Sequence, residues 1–275
     1  MEGQAKPRPT RSKLFYIPGG EPLMRIDPWW GLVALVVGLT VILITVRADP
    51  FWNIVLFVRD GIIITILITV TSFIFVLIVG MLGGLGRLSR NLLIHGVATL
   101  YVEIIRGIPL LVQLMGWYFA FPVVIHEIGR WLNIPALANY QANPIFTAII
   151  AIVACYGAYM SEIYRAGIQS IPKDQVEAAR GLGMTNFQSM RHVILPQAVR
   201  VILPPVGNEF VALLKDSSLV SVVAVADLTR RGREFMAVHF NPIEVWTMVA
   251  LLYLVMTLFS SRGVAWIEKK THFEK

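Results

Sequence analysis

Six long apolar runs dominate this chain, and each is close to or above the roughly twenty residues that a helix needs to cross a bilayer. They lie at 29–46, 61–82, 97–125, 145–164, 201–225 and 243–261. The whole chain is 56% hydrophobic and 15% charged, with a mean hydropathy of +0.67, which is too apolar for a solvated surface. A β-barrel would instead show alternating segments of about ten residues. The runs therefore predict an all-α integral membrane protein with six transmembrane helices.

The loop charges predict how these helices are oriented. With the N-terminus in the cytosol, 16 Lys and Arg residues fall on the inner side and 6 on the outer side. Basic residues are enriched in cytoplasmic loops, so both termini are expected in the cytosol. The outer cluster of Arg230, Arg231 and Arg233 goes against this bias. Because the net charge of +7 follows largely from topology, it does not indicate nucleic acid as a partner.

A polar stretch between Arg165 and Arg200 separates two apolar runs and is far longer than neighbouring membrane helices need. Its pattern predicts two short helices. Ser170 and Pro172 suit the start of the first, over 173–180, and Gly181 and Gly183 suit its end. The second is expected to open with a capping box formed by Thr185 and Gln188 and to end at Pro196.

The first of these helices has the character of a docking element. Ala178 and Ala179 add almost no side-chain bulk, so a partner's wall could approach closely, and Glu177 supplies one charge for register. The alternative is an ordinary amphipathic loop that lies on the membrane surface.

This loop resembles the EAA loop of permease subunits of bacterial ABC importers. The matching positions are Glu177 to Ala179, Gly183, Val193 where isoleucine is usual, Leu195 and Pro196. Three further stretches, 61–69, 101–113 and 208–219, resemble the polar amino-acid uptake branch, which includes histidine, glutamine and glutamate permeases. The resemblance assigns ATPase coupling to Glu177, Ala178, Ala179, Gly183, Leu195 and Pro196.

The resemblance also implies a domain plan and a set of partners. A cytosolic tail over 1–28 precedes an additional helix and loop over 29–54, a five-helix importer core over 55–270 with its EAA loop at 170–198, and a short cytosolic tail over 271–275. The implied partners in the bacterial inner membrane are an ABC ATPase dimer, a second permease, either identical or homologous, and an extracytoplasmic amino-acid-binding protein. ATP and Mg would bind the ATPase, because this chain has no GxxxxGK[ST] phosphate loop.

The fifth apolar run contains polar residues that are costly within a membrane. Glu209, Lys215 and Asp216 would each cost about 3 kcal/mol at a helix centre when charged, so they should face protein or water. Glu209 and Asp216 are seven residues apart and share a helix face, whereas Lys215 points about 100° away. Backbone breakage at Pro204, Pro205 and Gly207 is expected to free polar groups for a solute.

The substrate-contact hypothesis comprises Glu209, Lys215, Asp216, Ser217 and Ser218, because a zwitterionic amino acid needs groups of both signs. Fixed pairing of Lys215 and Asp216 with a neighbouring helix or a second permease is the alternative. In the third run, Glu103 and Arg106 are three residues apart and are expected to pair along the helix, with Pro109 also structural.

No catalytic or metal-binding arrangement is predicted from the histidine, serine and acidic residues. The alternative function is an ion-coupled secondary transporter or channel that acts without an ATPase, which would also need charges within the membrane. Which amino acid is carried, whether the site lies in this subunit, and what the extra N-terminal helix does are left open by the sequence.

Overall fold

The computed structural model describes residues 28–271, which form helices and short loops with no β-strand among them. The α-helices are α1 (Pro28–Val46), α2 (Ala48–Arg87), α3 (Leu92–Gly107), α4 (Leu110–Met115), α5 (Phe121–Trp131), α6 (Pro135–Ala138), α7 (Pro144–Gln169), α8 (Lys173–Gly181), α9 (Asn186–Ser189), α10 (Leu195–Asp216), α11 (Leu228–His239) and α12 (Pro242–Thr271). Two π-helical turns, Gly116–Ala120 and Met190–Ile194, and the 3-10 helix Ser217–Val223 join some of them. The all-α prediction is confirmed. The predicted cytosolic tails lie almost wholly outside the described residues.

Five helical stretches of the described chain are long and apolar enough to cross a membrane. They are Trp29–Val46, Ala48–Arg87, Leu110–Trp131, Pro144–Gln169 and Pro242–Lys270. Helix α10 has 22 residues but is not in this set. The predicted count of six spanning helices is therefore not confirmed by length and composition.

Helices α2 and α7 form the centre of the bundle. They run parallel, since Gly80 of α2 lies beside Met160 and Gly84 lies beside Tyr164. A Cβ atom at Gly80 would come within 2.5 Å of the Met160 Cβ atom, and one at Gly83 would come within 2.1 Å of the Ser161 Oγ atom. Small residues permit this close approach, which packing in lipid favours because van der Waals contact is a principal attraction there.

The predicted single span over 97–125 is wrong, because the structure breaks it between α3 and α4. Ile108 has extended backbone angles of φ −110° and ψ 128°, and Pro109 begins the new helix with φ −58° and ψ 141°. The residue before a proline is disfavoured in the α conformation, and Gly107 adds no helix preference. The prediction of a structural role for Pro109 remains a prediction, but its position at this break agrees with it.

The two predicted interruptions around α10 are also wrong. The helix continues through Pro204 and Pro205, and its helical character changes only at Ser217, where the 3-10 helix starts. Pro196 does not end a helix either, since it lies in the first turn of α10. The preceding π turn, in which the Leu195 N–H donates to the Met190 carbonyl, alters the hydrogen-bond register just before the proline. Proline has no N–H to donate, and the changed hydrogen-bond register before Pro196 lets the helical backbone continue through it.

The two ends of the bundle differ, and we call them the α8 end and the α11 end. The last turns of α2 and α7 lie at the α8 end, because the two helices run parallel and α8 begins soon after α7 ends at Gln169. The first half of α2 lies at the α11 end, where Phe51 packs in one cluster with Phe235 and the Leu228 N–H donates to the Thr65 Oγ1 atom at 3.2 Å. The two ends are thus separated along α2, one at its last turn and the other along its first half.

The arginine cluster at the α11 end is largely balanced by acids. Arg231 donates to Asp60 at 3.0 Å and to Glu234 at 2.8 Å, and Arg230 donates to Glu234 at 3.0 Å. Arg233 donates to the Ser221 Oγ atom. These pairs give the cluster a structural role, which accounts for its departure from the charge bias of the other loops.

Asp227 fixes the start of α11. Its carboxylate accepts hydrogen bonds from the N–H groups of Thr229 and Arg230, at 3.1 and 3.0 Å, and from the Tyr253 hydroxyl at 3.2 Å. Burial raises the pKa of this carboxyl above its ordinary value, and the donated hydrogen bonds oppose that rise. The cap therefore ties α11 to α12 from a fully buried position.

Candidate functional site

The loop over residues 170–198, called here the α8 loop, contains the two predicted helices. Helix α8 begins at Lys173 after Pro172, and Gly183 follows it with φ +80°. The Met184 N–H donates to the Ala179 carbonyl and the Gly183 N–H donates to the Arg180 carbonyl, which is a Schellman C-cap. The Thr185 and Gln188 capping box is present. Ser170 does not cap α8, because its hydroxyl donates to the Gly167 carbonyl at the end of α7.

Side-chain hydrogen bonds hold this loop to the helix that follows it. The Gln197 amide on α10 donates to the Gln175 Oε1 atom on α8 at 2.6 Å and to the Val193 carbonyl at 2.8 Å. Arg180 donates to the Asn186 Oδ1 atom at 3.2 Å. Since three residues alone separate α7 from α8, the loop is attached to helices on both sides.

The outer surface of the α8 loop differs from the predicted one at a single alanine. Glu177 and Ala178 are exposed, but Ala179 is only 4% exposed, so the prediction that both alanines face a partner is wrong. Successive helical residues point about 100° apart, which turns Ala179 toward the protein. Two large apolar side chains of the same loop, Leu182 and Phe187, are 81% and 71% exposed. Gly183, Leu195 and Pro196 are also exposed.

A second candidate site is a cavity of about 270 Å³ between α4, α7 and α10. Its walls are formed by Leu110, Cys155, Tyr156, Tyr159, Glu209 and Asp216. The Tyr156 hydroxyl donates to the Asp216 Oδ2 atom at 2.7 Å. A concave space with a few converging polar groups is the usual form of a small-molecule site.

The structure brings together two of the five predicted substrate residues. Glu209 and Asp216 both line the cavity, as their shared helix face predicted. Lys215 is exposed and is not among the lining residues. Ser217 and Ser218 do not line it either, and the buried Ser217 hydroxyl donates to the Leu214 carbonyl at 2.7 Å. The backbone opening expected at Pro204 and Pro205 does not contribute, since α10 is continuous there.

The break between α3 and α4 positions Leu110, the first residue of α4, in the remaining wall of the cavity. Gln113 donates from its Nε2 atom to the carbonyls of Ile105 and Ile108, at 2.9 and 2.8 Å, which replaces helical partners lost at the break. The same amide nitrogen lies 3.5 Å from the Cys155 Sγ atom. Gln113 was not singled out from the sequence, although a glutamine inside an apolar run, four residues after Pro109, is the signal that could have found it. Tyr156 and Tyr159, polar aromatics inside an apolar run, were missed as well.

Glu103 and Arg106 do not pair with each other, so that prediction is wrong. The Arg87 guanidinium lies 3.3 Å from Glu103 and 2.7 Å from Glu162, and Arg165 also pairs with Glu162. Arg106 instead lies over the Tyr159 ring, at 5.2 Å from the ring centre. The helix ends of α2, α3 and α7 are thus joined by ion pairs close to the α8 loop.

Residues 77–273 match the family described as binding-protein-dependent transport system inner membrane component. The chain belongs to this family, and it is an importer permease subunit. It is 36% identical over 211 residues to the glutamine transport system permease protein GlnP of Escherichia coli strain K12, covering 77% of this chain and 91% of that protein. It is 38% identical over 218 residues to the L-cystine transport system permease protein TcyB of Bacillus subtilis strain 168, covering 76% and 87% respectively.

Solved structures have the same fold. A crystal structure of an amino acid ABC transporter with histidines aligns with a TM-score of 0.70 at 35% identity, over 82% of this chain and 96% of that chain. An inward-facing MetNI methionine ABC transporter aligns with a TM-score of 0.63 at 21% identity, covering 78% and 96%, and shares the fold. The predicted resemblance to ABC importer permeases is confirmed.

Proposed function

We propose that this chain is the transmembrane permease of an ATP-driven importer for a polar amino acid, with the α8 loop as its ATPase contact and the cavity as its substrate passage. The observation that carries the proposal is the continuity between these two sites. Helix α8 follows α7 directly and is hydrogen-bonded to the first turn of α10, and α7 and α10 supply most of the cavity wall. Movement of α8 therefore moves two walls of the cavity.

The proposed partners follow from the separation of the ATPase contact on the α8 loop from the substrate passage in the cavity. A separate ATPase pair would hold α8 loops in surface clefts and hydrolyse ATP with Mg, and a second permease, identical or homologous, would complete the passage. An extracytoplasmic binding protein would deliver the amino acid. Support comes from the relatives, whose names describe glutamine, cystine and arginine transport system permeases. Closure of the ATPases would rotate the helices and alternate access to the cavity.

The proposed surface of α8 is small and apolar in its centre. Ala178 permits close approach, the exposed Leu182 and Phe187 offer apolar contact in the same loop, and Glu177 adds a charge. Large exposed apolar groups in an otherwise polar loop indicate a protein contact. Burial of Ala179 and the hydrogen bonds from Gln197 and Arg180 keep this surface in one orientation.

Reconstituted uptake tests the proposal. Vesicles that contain the purified permease and its copurifying ATPase should transport a labelled amino acid only under two conditions. ATP must be present on the side of the membrane that carries the ATPase, and the binding protein must be present on the opposite side. Omission of ATP is the matched control, with an imposed proton or sodium gradient as a further condition. Uptake by this chain alone under an ion gradient would identify a secondary transporter and overturn the proposal.

A further inference from the structure

Proline at position 109 leaves the end of α3 without one of its hydrogen-bond donors. In a continuous helix the carbonyl of residue 105 accepts from the N–H of residue 109, and Pro109 has none. The Ile108 N–H reaches the Ile105 carbonyl only at 3.4 Å. The extended backbone of Ile108 also turns its own carbonyl out of the helical pattern. Two carbonyls at the break therefore need donors from elsewhere, because unpaired carbonyls are costly away from water.

The side chain of Gln113 supplies both donors. Its Nε2 atom lies 2.9 Å from the Ile105 carbonyl and 2.8 Å from the Ile108 carbonyl, so the two hydrogens of one amide nitrogen satisfy both groups. The backbone N–H of Gln113 donates to the Pro109 carbonyl at 3.1 Å, in the first turn of α4. One residue thus joins the end of α3 to the start of α4.

The same amide also lies against α7. Gln113 is 7% exposed, and its Nε2 atom is 3.5 Å from the Sγ atom of Cys155 on that helix. Leu110, three residues earlier on α4, lines the cavity together with Cys155. The direction in which α4 leaves the break therefore sets one side of the cavity.

Stability alone does not account for a glutamine at this position. Its Oε1 atom is buried and has no hydrogen-bond partner within residues 28–271. The cost of one unpaired buried oxygen is of the same order as the net gain from the two bonds of the amide nitrogen. What the amide adds is direction, because hydrogen bonds to two fixed carbonyls hold α4 at one angle, whereas apolar packing is non-directional.

We propose that Gln113 is a positioning residue for transport, which fixes the angle between α3 and α4 and so holds Leu110 in place against α7. This inference rests on the proposed function, because it assumes that the cavity is the passage of the amino acid. In this role Gln113 does not contact the substrate and acts through Leu110. Without the amide, α4 takes several angles, and closure of the ATPases moves the cavity wall less effectively.

Transport per ATP distinguishes positioning from a general loss of stability. In the reconstituted permease and ATPase complex with its binding protein, Gln113→Met should lower the amino acid transported per ATP by about tenfold, a change that two net hydrogen bonds can maintain. The rate of ATP hydrolysis should stay close to that of the parent, because α4 lies outside the α8 loop. A permease that is only destabilised would lose both activities in proportion. Gln141→Met, at an exposed glutamine between α6 and α7, is the matched control.

Spin labels measure the angle itself. The labels are attached at two exposed positions, Leu93→Cys on α3 and Val112→Cys on α4, in a Cys155→Ser background that removes the single cysteine. An excess of unlabelled permease keeps the measured distances within one subunit. The parent should give one narrow distance distribution, and Gln113→Met should broaden it. Gln113→Asn, whose amide is shorter by one methylene group, is a second variant with the same expectation, should the first not assemble.

The outcomes separate this inference from the proposed function. An unchanged amount of transport per ATP in the Gln113 variants would overturn the inference and leave the importer role intact. Lower transport per ATP with a narrow distance distribution would also overturn it, because Gln113 would then act otherwise than through the angle. Uptake that needs no ATP in the parent would instead overturn the proposed function itself.

Discussion

Asp216 is the last residue of α10 and lies directly before the 3-10 helix Ser217–Val223. Its carboxylate accepts a hydrogen bond at 2.7 Å from the Tyr156 hydroxyl on α7 and lines the cavity. Its neighbour Lys215 is exposed and does not line the cavity. Of the two adjacent charged residues, Asp216 is therefore the one that the geometry places at the candidate substrate site.

Replacement of Asp216 should impair transport without loss of assembly. Asp216→Asn is expected to lower the uptake rate by about tenfold or more, because one charged partner of the substrate is removed. Tyr156→Phe deletes only the hydroxyl that orients this carboxylate, and it should lower uptake by a smaller factor. Uptake is measured in vesicles at equal permease content, with Glu127→Gln as the control. Normal uptake in Asp216→Asn would remove this residue from the site.

Two neighbouring alanines on α8 should respond differently to the same change. Ala178→Tyr places bulk on an exposed surface and should reduce copurification of the ATPase while the melting temperature of the permease stays close to that of the parent. Ala179→Tyr places the same bulk in a buried position and should lower the melting temperature, since overpacking typically costs about 1–3 kcal/mol. Unchanged ATPase copurification in Ala178→Tyr would contradict the docking surface.

At the scale of helices, the apolar pattern identified most elements correctly, whereas their ends and interruptions depended on tertiary contacts. The windows at 29–46 and 145–164 fall within α1 and α7, and the capping box was readable because its partners are local in sequence. The break at 107–109 was obscured because apolar residues continue on both sides of it. The structure shows the break in the extended backbone of Ile108, and Gln113 donates to the carbonyls of the interrupted helix. Burial of Ala179 likewise follows from packing that no local pattern contains.

Close packing of α2 against α7 makes a specific prediction about glycine. Gly80→Ala adds a Cβ atom within 2.5 Å of Met160 and should destabilise the permease by about 1–3 kcal/mol through overpacking. Gly96→Ala is the matched control on α3, since its added Cβ atom has no neighbour within 4 Å and alanine is the better helix former. The melting temperature in detergent measures both. Equal stability of the two variants would show that the contact at Gly80 is not restrictive.

The whole molecule places one charged cluster at the last turn of α2 and the other within the first half of that helix. At the α8 end, Arg87, Glu162 and Arg165 join α2 to α7 just before the α8 loop begins. At the α11 end, Asp60, Arg231 and Glu234 join α2 to α11. The cavity lies between α4, α7 and α10. This arrangement connects the α8 loop to the cavity walls through helices that ion pairs hold together at one end.

Labelling from the two sides of the membrane tests the orientation that the importer role requires. In a Cys155→Ala background, Ala178→Cys should react with a membrane-impermeant maleimide only in inside-out vesicles, because an ATPase needs the α8 loop in the cytosol. Phe240→Cys, at an 86% exposed position between α11 and α12, should react only in intact cells. Each variant is the control for the other, since the two positions lie at opposite ends of the same bundle. Reaction of Ala178→Cys in intact cells would put the α8 loop on the wrong side of the membrane and exclude ATPase coupling through it.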